Sequence, residues 1–163
     1  MAAPSVGDVA PDFTLAGTPG GRPYALADHR GGVVVLVFYP HDDTPVCTTQ
    51  LVSYSADLDQ FADLGAEVLA VSPQDVPAHE RFAGRHGIAF PLLSDVDKAV
   101  GRAYGLVGPL GYYKRSVFVI DAEGVVRYAH RSSHGLTYRP TDELVAAVRA
   151  AAALPATHRS TRE

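Results

Sequence analysis

Cys47, the one cysteine of the chain, stands in a stretch whose residue types could support thiol chemistry. The stretch reads PHDDTPVCTTQ from Pro40 to Gln50. A cysteine thiolate is a strong nucleophile that can be oxidised reversibly, whereas a structural buried cysteine is inert. A single cysteine cannot form a disulfide within the chain. On composition alone, Cys47 could equally be a small hydrophobic core residue.

The residues around this stretch predict a defined position for Cys47. Seven apolar or aromatic residues at 33–39 (VVVLVFY) end at Pro40 and are typical of a strand buried on both faces. Thr44 and Pro45 then suit a helix start, with a hydroxyl at the cap and proline at the first helical position. Cys47 would lie in the first helical turn, where N–H groups lack intrahelical partners and the dipole favours an anion. We therefore expect the active site here.

The rest of the chain alternates between strand patterns and helix patterns. Short strands near 13–15 and 24–26 predict an N-terminal hairpin, with the first as an edge strand. Apolar residues at three- and four-residue spacing over 51–64 predict one helix that ends at Gly65. Further predicted strands are 68–72, 91–95, 116–120 and 124–128, and further predicted helices are 77–87, 96–104 and 140–154, with Gly87 and Thr141 as caps.

This order of elements predicts an α/β fold, with a mixed sheet sandwiched between helices and a right-handed first crossover. A thioredoxin-like architecture fits the order, and small flavodoxin-like variants fit it too. We expect a single domain over residues 1–154 and a frayed polar tail over 155–163. The aromatic residues expected in the core are Phe38, Tyr39, Tyr54, Phe61, Phe82 and Phe118.

Composition and charge narrow the classes of function. The chain has 163 residues, 47% of them hydrophobic, with a formal net charge of −4. Such a surface offers no general attraction to nucleic acid or to an anionic membrane. No apolar run approaches the roughly 20 residues of a membrane-spanning helix, and no secretory signal is visible. We therefore expect a cytoplasmic protein that binds neither nucleic acid nor membrane.

The spacing Pro40-x-x-x-Thr44-x-x-Cys47 resembles the signature of peroxiredoxins, thiol peroxidases built on a thioredoxin-like core. Other segments resemble the same family: residues 7–13 (GDVAPDF) its opening, Phe38-Tyr39-Pro40 the end of its strand, and 115–121 (RSVFVID) the strand that carries its arginine. The resemblance runs from about residue 6 to residue 126. It therefore covers most of the chain.

Among the subgroups, the chain is most similar to the bacterioferritin-comigratory, or Q-type, peroxiredoxins, whose usual sequence around the cysteine is close to TPVCTTQ at 44–50. Many Q-type members carry a resolving cysteine five residues after the first, where this chain has Val52. The resemblance therefore implies a one-cysteine variant. The segment 129–139 (AHRSSHGLTYR), with His130 and His134, matches no family pattern.

The resemblance implies a thiol-dependent peroxidase that reduces hydrogen peroxide or organic hydroperoxides through a cysteine sulfenic acid. An external thiol would recycle it: a low-molecular-weight thiol, thioredoxin or another small redoxin. No cofactor is implied, and a homodimer is allowed. A redox sensor or thiol-transfer module on the same scaffold shares the first step and is the alternative. A disulfide oxidoreductase of thioredoxin type is disfavoured, since the chain has no C-x-x-C.

The same resemblance assigns roles at the site. Cys47 is the nucleophile, and Arg115 is the family's source of positive charge, always protonated and able to donate in a fork. Thr44 lies one turn before Cys47, so its hydroxyl could contact both sulfur and peroxide. Pro40 would shield the sulfur, while the backbone N–H groups of Val46 and Cys47 could hold the charge that develops on the leaving oxygen.

A metal site in the same stretch is the weaker hypothesis. His41, Asp42 and Asp43 are metal-ligating residue types, but their spacing matches no familiar zinc pattern. The seven histidines are scattered along the chain. We therefore expect these three residues to be solvated loop residues, and we expect no metal.

Overall fold

The structure is a computed structural model that describes residues 3–42, 45–109, 111–132 and 139–153. Within these residues one mixed sheet contains seven strands. They are β1 (Thr14–Gly17), β2 (Arg22–Ala25), β3 (Val33–Phe38), β4 (Ala66–Ser72), β5 (Leu92–Ser94), β6 (Ser116–Ile120) and β7 (Val126–Arg131). The helices are α1 (Pro45–Ala56), α2 (Leu58–Ala62), α3 (Val76–His86), α4 (Ala99–Ala103) and α5 (Thr141–Ala152).

The sheet is organised around β3. Its order is β2-β1-β5-β4-β3-β6-β7, so β3 lies between β4, which runs parallel to it, and β6, which runs antiparallel. All six residues of β3 are buried. A strand covered on both faces needs apolar side chains at every position, and this explains the continuous run over 33–38.

Alternate side chains of β3 enter two different cores. Val35 and Val37 pack on one face with residues of α1, α2, α3 and α5. Leu36 and Phe38 pack on the other face with α4, the 104–113 loop and the N-terminal segment. Because successive strand residues point to opposite faces, helices on both sides are required to cover the sheet. The predicted mixed sheet between helices, with its N-terminal hairpin of β1 and β2, is confirmed, and the six aromatic residues expected in the core are all fully buried.

Several predicted boundaries were wrong. The helix predicted over 51–64 is two helices, because Asp57 leaves the helical region (φ −99°, ψ 13°) between α1 and α2. Both Leu51 and Phe61 still reach the same core, so the apolar period continues across the break. Strand β1 is not an edge strand, because it also pairs with β5 at Gly17–Leu93. Strand β7 begins two residues later than predicted, since Gly124 forms the preceding turn at φ +84°.

The two predicted helix caps had opposite outcomes. Gly87 caps the C-terminus of α3 at φ 65°, ψ 37°, as predicted. Thr141 is not a cap: Pro140 occupies the cap position and Thr141 is the first helical residue. Its buried hydroxyl has no hydrogen-bond partner within the described structure. None of the helices over the described ranges is long and apolar enough to cross a membrane. The predicted tail 155–163 lies outside the described residues.

Candidate active site

Cys47 lies in the first turn of α1, at the position that the sequence predicted. The chain leaves the carboxyl end of β3, and Pro45 is the first residue of α1, so Cys47 is its third. The cysteine is fully buried, and it packs in the core with Val37, Tyr39 and Leu51. Burial alone does not distinguish a structural cysteine from a reactive one, so the neighbouring polar groups decide what the site can do.

Arg115 is brought to the same helix as Cys47 by strand pairing. It immediately precedes β6, whose first residue, Ser116, is the partner of Phe38 at the end of β3. The Arg115 side chain is 3% exposed. Its Nη1 donates to Oε1 of Gln50 at 2.6 Å. A guanidinium, which is always charged, is thus held inside the protein beside the helix that carries Cys47.

Gln50 is a site residue that sequence reasoning missed. It follows Cys47 by three residues on α1, so both side chains lie on one face of the helix. Gln50 is fully buried, and its Nε2 has no hydrogen-bond partner in the described structure. Its fixed contact with Arg115 orients the guanidinium, while the unpaired amide N–H₂ remains able to donate. The sequence could have revealed Gln50, because it is a polar residue one turn after the cysteine on the face of α1 that is otherwise apolar.

The remaining predicted site residues are placed less completely. Pro40 follows Tyr39 directly after β3 and is half-buried. Val46 is the second residue of α1, so its N–H and that of Cys47 are in the first helical turn. Thr44 and Asp43 lie outside the described residues. The cap and the substrate contact of Thr44 therefore stay predictions.

Tyr39 links the site to a second polar cluster. Burial, then the negative charge of Asp42, raises the pKa of Tyr39 well above its usual value, and Cys47 adds a smaller effect in the same direction. The tyrosine hydroxyl therefore stays protonated, and Tyr39 packs in the same core as Cys47. Its hydroxyl donates to Oδ1 of Asp42 at 2.6 Å.

Asp42 is buried, so its interpretation as a solvated loop residue was wrong. The other carboxylate oxygen, Oδ2, lies 2.8 Å from Nδ1 of His79, which is fully buried on α3. His41 itself is exposed, as predicted. The sequence could not reveal the contact, because 37 residues separate Asp42 from His79. Among the described residues no group of three or more His, Cys, Asp or Glu could hold a metal ion.

The unmapped segment 129–139 is partly described. Residues 129–131 belong to β7, and residues 133–138, with His134, lie outside the described residues. Burial, then Arg139, lowers the pKa of His130. Arg139 pairs with Glu143 of α5 at 2.5 Å, and its carbonyl accepts from Tyr54 of α1 at 2.5 Å. Arg139, at the described end of this segment, is thus tied to α5 and to α1.

Comparisons with known proteins agree on one family. Residues 6–129 match the AhpC/TSA family. The chain is 39% identical over 119 residues to peroxiredoxin Bcp of Xanthomonas campestris pv. campestris, covering 69% of this chain and 74% of that protein. It is 35% identical over 130 residues to the chloroplastic peroxiredoxin Q of Triticum aestivum, covering 78% of this chain and 59% of that protein.

Solved structures resemble most of this chain. Peroxiredoxin Q of Xanthomonas campestris superposes with a TM-score of 0.78 at 35% identity, over 86% of this chain and 91% of that one. Peroxidoxin BcpB of Mycobacterium tuberculosis superposes with a TM-score of 0.82 at 31% identity, over 90% and 97% of the two chains. A further structure concerns alkyl peroxide reduction by the bacterioferritin comigratory protein of Xanthomonas campestris.

Proposed function

This chain belongs to the AhpC/TSA family and is a peroxiredoxin, a thiol-dependent peroxidase, and on that premise we propose that Cys47 is the residue that reduces the peroxide. One observation carries the proposal: the only cysteine of the sequence lies in the first turn of α1, on the helix that Arg115 contacts through Gln50. The positive charge and the free N–H groups of a helix start both favour an anion at this place.

The first step is an attack of the Cys47 thiolate on one oxygen of the O–O bond. An S–O bond forms, the O–O bond breaks, and the second oxygen leaves as water or an alcohol after it takes up a proton. The sulfur is oxidised by two electrons to a sulfenic acid, and the peroxide is reduced by the same two electrons. Hydrogen peroxide and organic hydroperoxides both satisfy this balance.

The groups around Cys47 stabilise the negative charge of the thiolate and of the leaving oxygen, or keep water away from the sulfur. Arg115 stabilises the thiolate and the negative charge that moves onto the leaving oxygen, and Gln50 orients its guanidinium. The backbone N–H groups of Val46 and Cys47 donate to the same developing charge. We expect the Thr44 hydroxyl to contact the sulfur and the bound peroxide, and we expect Pro40, which has no N–H, to shield the sulfur from water.

The enzyme is regenerated by a thiol from outside the chain. The position five residues after Cys47 is Val52, so the sequence supplies no second sulfur there. An external thiol attacks the sulfenic sulfur, which releases water and forms a mixed disulfide. A second thiol then breaks this disulfide and restores Cys47. The reductant is a low-molecular-weight thiol, thioredoxin or another small redoxin whose attacking sulfur can reach the pocket.

Steady-state turnover tests this proposal. With a supplied thiol, the protein should consume many equivalents of peroxide, and Cys47→Ser should consume none while keeping the parent's circular dichroism. Consumption that stops after one equivalent would instead indicate a redox sensor. Turnover by Cys47→Ser at a rate like that of the parent would show that the sulfur of Cys47 does not carry the reaction.

A further inference from the structure

Asp42 and His79 form a buried polar contact that the proposed reaction does not use. His79 is fully buried and Asp42 is 3% exposed. Nδ1 of the histidine lies 2.8 Å from Oδ2 of Asp42, and Nε2 lies 3.0 Å from the backbone carbonyl of Leu93. Both ring nitrogens of His79 therefore have oxygen partners.

The partners of His79 fix where its hydrogens lie. A carbonyl oxygen can only accept, so Nε2 carries a hydrogen and donates to Leu93. A second hydrogen lies between Nδ1 of His79 and Oδ2 of Asp42, because without it the lone pairs of the two atoms would repel each other at 2.8 Å. The pair is electrically neutral overall whether that proton resides on nitrogen or oxygen. The pair therefore adds no net charge to the protein interior.

Asp42 also makes hydrogen bonds to residues other than His79. Its Oδ1 accepts from the Tyr39 hydroxyl at 2.6 Å, and its backbone N–H donates to Oε1 of Gln74 at 2.9 Å. Gln74 lies between β4 and α3, and Leu93 lies in β5. Asp42, in the segment between β3 and α1, is thus bonded directly to α3 and to the connection before it, and through His79 to β5.

This anchor lies five residues before Cys47, on the segment that leads into α1. A pair of apolar residues of similar size would fill the same space without the cost of desolvating Asp42 and His79. A buried network of this kind specifies one arrangement of the elements that it joins. We propose that Asp42 and His79, with Tyr39, are positioning residues that set the location of the α1 start and hence of Cys47. The inference rests on the proposed role of Cys47 as the nucleophile.

The test measures the second-order rate constant for oxidation of Cys47 by hydrogen peroxide, with quenched samples read by intact mass. Asp42→Ala should lower this constant by about 100-fold, since a displacement of about 1 Å at a reacting atom has that effect. Asp42→Asn should stay within about threefold of the parent, because its amide keeps every hydrogen bond. Its oxygen accepts from Tyr39 and its N–H₂ donates to Nδ1 of His79.

A matched pair at His79 gives an independent reading if Asp42→Ala does not fold. Asn at this position keeps a donor for Asp42, whereas Gln keeps a donor for Leu93 but not for Asp42. His79→Asn should therefore react faster than His79→Gln. Hydrogen exchange of the backbone amides at 46–50 should rise in His79→Gln and in Asp42→Ala, and this readout does not depend on activity.

Asp121→Ala is the control for a merely structural effect. Asp121 is also 3% exposed and accepts several hydrogen bonds, but it lies at the far end of β6, beside Arg127. The Asp121→Ala variant should be less stable than the parent and should keep the parent's rate constant for oxidation of Cys47. Equal rate constants for the parent, Asp42→Ala and His79→Gln would overturn the positioning role, as would a loss in Asp42→Asn as large as that in Asp42→Ala. Absence of oxidation at Cys47 in the parent would instead refute the proposed function.

Discussion

Replacing Arg115 with methionine tests the electrostatic part of the reaction. Methionine keeps most of the buried volume but has neither the charge nor the donors of the guanidinium. Arg115 is 3% exposed, and its Nη1 to Oε1 contact with Gln50 is 2.6 Å long. Such a short, buried contact leaves the guanidinium little freedom, so the loss should appear in the rate rather than in the binding of a small substrate.

The expected loss can be estimated from the geometry. Removing one preorganised donor from a site of developing charge slows a reaction by about 10²–10³, or about 2.7–4 kcal/mol in the barrier. The free energy of unfolding should fall by less than the barrier of the reaction rises. Gln50 already has an unpaired Nε2, and without Arg115 its Oε1 loses a donor as well, at about 1–3 kcal/mol. Arg115→Lys keeps the charge without the fork, so its rate constant should lie between those of Arg115→Met and the parent.

The assay is rapid mixing with hydrogen peroxide, followed by an acid quench and intact mass, because the chain has no tryptophan to report by fluorescence. Arg131→Met serves as the control, since the Arg131 guanidinium lies over the Phe118 ring and donates to the Tyr104 carbonyl on the other face of the sheet. This variant should be less stable and equally fast. A rate constant for Arg115→Met within about twofold of the parent would refute the electrostatic role.

Three further predictions concern the core, the helix and pH. Phe118→Ala should lower the free energy of unfolding by about 3–5 kcal/mol in denaturant titrations, because the ring is fully buried among Phe38 and Tyr104; a loss below about 1 kcal/mol would contradict this packing. In Val52→Cys, peroxide should produce a disulfide with Cys47 only if α1 partly unfolds, which circular dichroism would detect as a loss of helix. The Cα atoms of residues five apart in a helix are about 8–9 Å apart, whereas a disulfide needs less than about 7 Å. A disulfide with unchanged helix content would be inconsistent with α1. Hydrogen bonds from Arg139 and then Tyr128 hold the pKa of Glu143 below its usual 4.5. This pairing therefore stabilises the fold above about pH 4.5, and the stabilisation is lost as the pH falls below that value. The melting temperature of the parent should fall more steeply on acidification than that of Glu143→Gln, and an equal fall in the two proteins would argue against the pairing.

The fold was predictable from the sequence because its patterns are local. The continuous run over 33–38 identified the central strand, and the proline at 45 identified the start of α1. The break at Asp57 was not predictable, because no glycine or proline marks it and the apolar spacing continues through it. Periodicity reports which face is buried, not where the backbone turns.

The site was predictable only in part. The position of Cys47 followed from the strand-to-helix pattern, and Arg115 came from a resemblance to a family. The contacts that orient them join residues far apart in sequence, 65 positions for Arg115 and Gln50 and 37 for Asp42 and His79. Such contacts depend on how strands pair and helices pack, which single residues do not encode. The cytoplasmic location and the homodimer stay predictions.

The central claim is that one cysteine, Cys47, carries the reaction and is recycled by a thiol from outside. Its most direct test is one equivalent of hydrogen peroxide on the reduced protein, without reductant, followed by intact mass, peptide mapping and non-reducing electrophoresis. The expected product is a monomeric chain with a single added oxygen on Cys47, which dimedone traps and excess peroxide carries on to the sulfinic acid. A dominant disulfide-linked dimer, with no chain that has gained one oxygen, would contradict the account.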